Sequence, residues 1–371
     1  MATQPNVDIN FRDAGDTAID KAERGIVYLI LEEPSVTEIT EVTFFNATEI
    51  PTTYTDENKE QIKLAMVGSY LAPNRVSCIM VPSSETAFSI EGNEALMLLA
   101  TSDCDYFAIP DIDSASATDV ATWVKQHNES QPIHKMKAVL PNTAADNDHV
   151  INVTQTKAVT AGGKELNTEE LCGFVAGMRA GCPMQFSLDR FRTSALKWVP
   201  PVDMRKGQDG DNRVKDGEFF FNMDRGRVSV VADVNSLTEL AGKDETYQQN
   251  KEIDVMDALY NGLKPSILDK YIGKFTNSYQ NKLILVSAVE AFLQSFEAAG
   301  LVEQDDTHCE IAFEEQRLYL KSIHYTTFDD RTVEEMTVNE ILKANTKDHV
   351  FLRVRFLPLG AIRHVDILVL T

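Results

Sequence analysis

The sequence predicts a mixed α/β protein of several domains with an extended arm at each end. Short aliphatic, β-branched runs alternate with helical segments between Gly25 and Leu140, the pattern of a mainly parallel sheet with helical crossovers. At 371 residues the chain has material for two or three domains and a sizeable core. Residues 1–24 are polar and Asp-rich with no period of either kind, and the chain closes on a strand-like run, His364–Leu370.

From the amino end, residues 1–24 read as an extended arm. Ile26-Val27-Tyr28-Leu29-Ile30-Leu31 is a continuous apolar run, as a strand buried on both faces requires. A helix is predicted over Asp56–Tyr70, with Thr55 as its cap and Glu57 and Glu60 suiting its positive end. Val76–Val81 is a second strand, stopped by Pro82. Helix Asn93–Thr101, strand Tyr106–Ile109, helix Thr118–Gln126 and strand Lys137–Leu140 continue the alternation.

Farther on, Asn167 followed three residues later by Glu170 is a capping box. Leu171, Phe174, Val175 and Met178 line one face of its helix, which Gly181 and Pro183 end. The charged, Gly-rich stretch Arg205–Gly217 is predicted to be a solvent loop. Phe219–Asn222 and Arg227–Val231 flank Met223-Asp224-Arg225-Gly226 as a hairpin. Helical spacing through Ile253, Met256, Leu259, Tyr260 and Leu263 is expected to stop at Pro265. A second apolar stripe from Leu283 to Ala299 is closed by Gly300, and Val350–Leu357 and His364–Leu370 read as strands. The expected domains are an N-terminal arm (1–24), an N-terminal α/β segment (25–90), a central α/β domain (91–235), a C-terminal domain (236–349) and a β-strand arm (350–371).

Charge narrows the function. With 35 Lys+Arg against 57 Asp+Glu the formal net charge is −22, which argues against direct binding to nucleic acid or an anionic membrane. The apolar stretches are too short to span a bilayer, and the first twenty residues lack the basic and apolar regions of a signal peptide. Cys78, Cys104, Cys172, Cys182 and Cys309 lie far apart with no C-x-x-C pair, so they read as buried thiols in a reducing cytoplasm.

Catalytic and cofactor patterns fail one by one. Gly163-Lys164 superficially resembles a phosphate loop, but Ala158 stands where the first Gly belongs and Glu165 where Ser or Thr would hold magnesium. Asp111-Ile112-Asp113 begins like a calcium loop, but Ala115 and Ser116 follow where an oxygen ligand and the turn Gly are needed. No G-x-G-x-x-G, H-E-x-x-H or G-x-S-x-G is present. The expectation is no catalytic residue, no metal and no cofactor.

Two windows run against the overall charge. Lys264, Lys270, Lys274 and Lys282 face only Asp269, giving +3, and read either as a solvated helical face or as a docking surface for an acidic partner. Residues 351–371 carry Arg353, Arg355 and Arg363 against Asp366, a net +2, whereas residues 1–24 carry −2. Extended ends of opposite sign can pair between copies by strand addition, and such a contact propagates into rings or helical polymers.

Several segments resemble a known family. They are Glu23-Arg24-Gly25-Ile26-Val27, Asp105-Tyr106-Phe107-Ala108-Ile109-Pro110, Phe174-Val175-Ala176-Gly177-Met178-Arg179-Ala180-Gly181-Cys182-Pro183, Val234-Asn235-Ser236-Leu237-Thr238 and Tyr271-Ile272-Gly273-Lys274-Phe275-Thr276-Asn277-Ser278-Tyr279-Gln280-Asn281-Lys282. In this order and spacing, along most of the chain, they resemble contractile tail sheath proteins of Gram-positive phages, prophages and phage-tail-like bacteriocins. The Asn-Ser-Leu and Ile-Gly-Lys…Asn-Ser-Tyr segments are the most specific.

The resemblance implies a structural protein rather than an enzyme, with a subtilisin-like central α/β domain, a helical plus β C-terminal domain and swapped terminal arms. Its partners would be further copies of itself in stacked six-subunit rings, an inner tail tube, a baseplate and a tail terminator. It would assemble in a bacterial cytoplasm and work in a virion tail or phage-tail-like particle, without direct contact with nucleic acid or insertion into a membrane. The expected inter-subunit residues are Val7, Ile9 and Phe11 in one arm and Arg353, Arg355, Arg363, Val365, Ile367 and Val369 in the other. Lys264, Lys270, Lys274 and Lys282 would face the tube. In one place the chain departs from the family: Gly360-Ala361-Ile362-Arg363-His364 replaces an acidic Asp-Ala-Met-Glu-like turn. A cytosolic α/β enzyme with an unmarked site explains only the strand–helix alternation. A tube protein would share polymerisation, but tube subunits are usually smaller and mostly β.

Overall fold

The apolar run after Gly25 becomes the first strand of a seven-stranded sheet. The structure, a computed structural model, describes residues 23–83 and 93–363 together with Ile19. Val7, Ile9, Phe11, Val365, Ile367, Val369 and the expected strand His364–Leu370 lie outside the described residues.

In chain order the first elements are β1 (Ile26–Glu32), β2 (Thr40–Phe44), α1 (Asp56–Val67), β3 (Arg75–Val81), α2 (Glu94–Ala100), β4 (Tyr106–Ala108), α3 (Ser114–Glu129), β5 (Lys137–Pro141) and β6 (Val150–Val153). They are followed by β7 (Ala158–Thr160), β8 (Glu165–Leu166), α4 (Thr168–Ala180), β9 (Arg192–Thr193), β10 (Leu196–Trp198), α5 (Asp209–Lys215), β11 (Glu218–Phe219), β12 (Phe221–Asp224) and β13 (Arg227–Val230). The sheet order is β11-β6-β5-β4-β1-β3-β2, parallel except for β2.

Alternation within β1 explains its uninterrupted hydrophobicity. Val27, Leu29 and Leu31 pack on one face with Ile62 and Ala65 of α1 and with Leu171, Phe174 and Met178 of α4. Ile26, Tyr28 and Ile30 pack on the other with Leu96 and Leu99 of α2 and with Val120 and Val124 of α3. Each fully buried aliphatic side chain contributes roughly 1.5–3 kcal/mol, which is why a central strand carries no polar face. Helices α1 and α4 cross closely enough that a Cβ at Gly177 would lie 1.9 Å from the carbonyl oxygen of Ala65.

Local chemistry sets the element ends. Thr55 Oγ1 accepts from the Asn58 N–H, and α1 ends at Gly68 with φ 67°, before the expected Tyr70. The Asn167–Glu170 capping box is present on α4. Helix α3 starts at Ser114, earlier than the expected Thr118, because Asp113 Oδ1 accepts from Ala115 and Ser116 N–H at 2.9 and 3.1 Å. The expected solvent loop 205–217 contains α5, whose Asp209 and Asp211 begin it and whose Arg213 and Lys215 end it, a charge order suited to the helix dipole. Arg225 and Gly226, at φ 51° and 77°, form the two-residue turn between β12 and β13.

The chain divides into two compact units. The larger is drawn from Lys21–Gly262, Ala299–Leu301 and Pro358–Thr371. The expected boundary between residues 90 and 91 falls inside its sheet, since β1, β3 and β4 are neighbours. In the smaller, Leu263–Ala298 joins Val302–Leu357, so its start lies beyond the expected residue 236. The remaining elements are α6 (Asn250–Lys270), α7 (Tyr279–Ala298), β14 (His308–Ile311), α8 (Phe313–Ser322), α9 (Val338–Lys343) and β15 (Leu352–Arg355). Helix α6 runs through Pro265 instead of stopping there. Proline removes one N–H, a local cost that the buried face of Ile253, Val255, Ala258 and Leu259 outweighs.

Candidate assembly site

Beneath α6 lies a buried ion-pair network in the larger unit. The last turn of α4 carries Arg179 into the core, where both it and its partner carboxylates are 1% exposed. Its Nη1 lies 2.6 Å from Asp233 Oδ2, and its Nη2 pairs with Asp254 Oδ2. Asp254 and Asp257 sit three residues apart on α6 and so share a face. Lys137 of β5 pairs with both, 3.0 Å from Asp254 Oδ1. His149 completes the line, with Nδ1 2.7 Å from Asp148 Oδ1 and Nε2 3.0 Å from Asp257 Oδ1.

Burial alone would neutralise such groups, and the pairing reverses that. At Asp254, desolvation is outweighed by Lys137, Arg179 and Arg24, which hold the carboxyl well below its usual range. Asp257 is depressed in the same way by Lys137 and His149. Desolvation works against the charge on Lys137 and His149 too, but the facing carboxylates raise both. The network locks α6 against the sheet. Among the described residues no group of three His, Cys, Asp or Glu is placed to hold a metal ion. All five cysteines are buried and unpaired.

The described residues next to each expected arm, Arg24 and Gly25 at one end and Leu359 to Arg363 at the other, lie in the larger unit beside the start of α6. At the amino root, Gly25 and Ile26 N–H donate to Asp105 Oδ2 at 2.7 and 3.1 Å, and Arg24 Nη2 lies 3.1 Å from Asp254 Oδ2. At the carboxyl root, Lys251 Nζ donates to the Leu359 carbonyl. Arg363 donates to Gln249 Oε1 and lies 3.2 Å from Asp189 Oδ1.

Three expected arm residues thus have partners in their own chain. Arg363 is held at the root. Arg353 and Arg355 lie in β15, which pairs with β14 in the smaller unit, and the expected arm 350–371 therefore starts too early. Register explains this: Glu310 faces Arg353 across the strands, Arg353 also reaches Glu315 at 3.0 Å, and Arg355 reaches Asp306 at 3.1 Å.

The lysine window separates as well. Lys282 is a correction: it is 2% exposed, donating to Thr346 Oγ1 at 2.9 Å and Gln316 Oε1 at 3.2 Å, and burial pushes its amine down. Lys274 is exposed and its Nζ donates to the Asp269 carbonyl; Lys264 and Lys270 are half-buried. Ile272 and Phe275 are exposed beside Lys274.

Sequence reasoning missed the network because single charged residues inside apolar segments carry no pattern of their own. The one available signal was Asp254 and Asp257 at helical spacing beside Ile253, Val255 and Ala258.

The comparisons with known proteins decide the family. Residues 90–236 match the family model for the phage tail sheath protein central domain, and residues 242–369 match that for the phage tail sheath C-terminal domain. The chain belongs to the phage tail sheath family. It is 28% identical over 377 residues to the tail sheath protein of Clostridium phage phiCD119, covering 99% of each chain. Its fold is similar to that of the sheath tail protein of Desulfitobacterium hafniense, with a TM-score of 0.65, 18% identity and coverage of 82% of this chain and 93% of that one. It is also similar to the helical sheath of the anti-feeding prophage in its contracted state, with a TM-score of 0.66 and 11% identity over 100% of this chain and 99% of that one. The tail sheath subunit is a structural protein, and its place is the tail.

Proposed function

We propose that this sheath subunit polymerises with its own copies as stacked six-subunit rings around an inner tail tube, and that contraction of the lattice drives the tube through a target envelope. The supporting observation is the match of both sheath domains, with a full-length relative that is itself a tail sheath protein. Assembly takes place in the host bacterial cytoplasm, with the baseplate and tail terminator as further partners. The work needs no catalytic step: two packings of the same subunit that differ by roughly a few kcal/mol release enough energy when summed along a tail.

Within this reading, the ends of neighbouring copies join the β14–β15 sheet. Two strands alone are marginally stable, and among the described residues no third strand pairs with them. Val7, Ile9, Phe11, Val365, Ile367 and Val369 are the segments proposed to pair there. Lys264, Lys270 and Lys274, with Ile272 and Phe275, form the proposed tube-facing surface.

Negative-stain microscopy of the purified protein tests the reading. Long hollow cylinders are expected, and discrete particles of one size under all conditions would overturn it. Deleting residues 1–24 should leave a soluble, folded protein that forms no cylinders.

A further inference from the structure

A continuous line of charge-assisted contacts joins the two arm roots through the core of the larger unit. It begins at Arg24, 3.1 Å from Asp254 Oδ2. Arg179 pairs with that same oxygen through Nη2 and reaches Asp233 Oδ2 at 2.6 Å through Nη1. The Asp233 N–H donates to Asp189 Oδ1 at 2.9 Å, and Arg363 Nη2 lies 3.2 Å from that oxygen. A parallel line follows the start of α6. Asn250 Nδ2 donates to Asp233 Oδ1 at 3.0 Å, Gln249 accepts from Arg363, and Lys251 donates to the Leu359 carbonyl.

Arg179 is the shared member. A planar guanidinium holds two carboxylates in fixed directions, which a point charge on a flexible stem cannot do. Moving Asp254 therefore tilts the fork that also holds Asp233, and Asp233 is tied to the carboxylate that seats Arg363. In a low-dielectric core these forces are poorly screened.

We propose that Arg179 is a positioning residue that couples the two arm roots, so that loosening the exit of one arm loosens the exit of the other. The biological sense of this coupling rests on the arms linking subunits. Load arriving through one arm then passes to the other through a buried lattice instead of a surface loop.

Hydrogen exchange on unassembled full-length subunits tests the coupling, using R24Q and R363Q. Both arginines are partly exposed, at 20% and 26%, and Arg179 and Lys137 still face Asp254 without Arg24, so both variants are expected to fold, which circular dichroism checks first. R24Q should speed exchange of the Leu359 N–H, which donates to the Leu301 carbonyl at 2.9 Å, by about fivefold or more. R363Q should do the same for Gly25 and Ile26. Adding R179K, which keeps the charge but not the fork, should remove the cross-talk: R24Q then changes nothing further at Leu359. If each variant alters only its own root, or neither, the coupling is overturned regardless of assembly. If cross-talk is present while all variants still build and contract normal cylinders, the coupling stands and the reading of the arms fails.

Discussion

The ion-pair core of the larger unit and the buried lysine of the smaller treat charge in opposite ways. In the larger, Arg179, Lys137, Asp233, Asp254 and Asp257 are matched cation to carboxylate, and nearly every large apolar side chain of the sheet is covered. In the smaller, one buried ammonium, Lys282, is held only by neutral oxygens of Gln316, Thr346 and Ala344. Ile272, Phe275, Leu318 and Phe328 stay exposed in it, Phe328 completely, and its sheet has two strands among the described residues. The core charges of the larger unit are matched within one chain, although Phe45, Leu71, Met97 and Ile133 stay exposed on it. Among the described residues the smaller presents unpaired strand edges and apolar surface, the features that the proposed function assigns to contacts with neighbouring copies.

Removing the central cation breaks the comparison most sharply. Arg179→Met strands Asp233 and Asp254 as buried, under-matched carboxylates, so urea unfolding of the larger unit should lose about 3–5 kcal/mol. Arg353→Met, which removes an exposed pair with Glu315 and Glu310, should leave the unfolding midpoint of the smaller unit unchanged. Equal losses would mean that the two kinds of charge are not different.

Next in size is Lys282→Glu, which places a carboxylate against Gln316 Oε1 and the Ala344 carbonyl where a donor is required. A loss of about 3 kcal/mol is expected in the smaller unit, read as rapid exchange across α8 and α9. Lys274→Glu changes an exposed charge, so folding should be unaffected and only co-sedimentation with purified tubes should fall. If Lys282→Glu folds normally, its burial has no structural weight.

Gly177→Ala separates helix propensity from packing. In an exposed helix, alanine is favoured over glycine by up to about 1 kcal/mol. Here the added methyl meets the backbone oxygen of Ala65, which cannot move aside as a side chain can, so a net destabilisation of about 1–3 kcal/mol is expected in thermal melts. A stabilised variant would show that α1 and α4 can separate freely.

These sites mark how far the sequence was legible. Continuous runs such as Ile26–Leu31 and the capping box at Asn167 announce themselves, because strand burial and helix starts depend on neighbours in the chain. Short elements such as β9 and β11 do not, since two residues have no period and owe their conformation to partners far along the sequence. Pro265 shows local propensity overridden by tertiary packing. Lys282 looked like the exposed Lys274 because charge composition cannot show which way a helix turns. The family was legible from Asn235-Ser236-Leu237 and Ile272-Gly273-Lys274, whereas the ion pairs through Arg179 exist only once α4, α6 and the segment after β13 meet.

The smallest expected effect lies at the edge of the network, at His149. Its ring lies between Asp148 and Asp257, which in turn face Lys243 and Lys137. The two carboxylates raise its native pKa above the unfolded value, so the stability it contributes is complete below about pH 6.5 and is lost as pH rises through the native value. Asp148 and Asp257 are depressed, so their contribution is present above about pH 4 and is lost as pH falls through their native values. His149→Gln should therefore cost about 1.5 kcal/mol at pH 6, the low end for hydrogen bonds to charged groups. The gap between wild type and variant should narrow toward pH 9, while both lose stability together in acid. Melting curves across that range measure the gap directly, and a gap that widens with pH would mean that His149 is held neutral and that the matching of charge in the larger unit stops short of it.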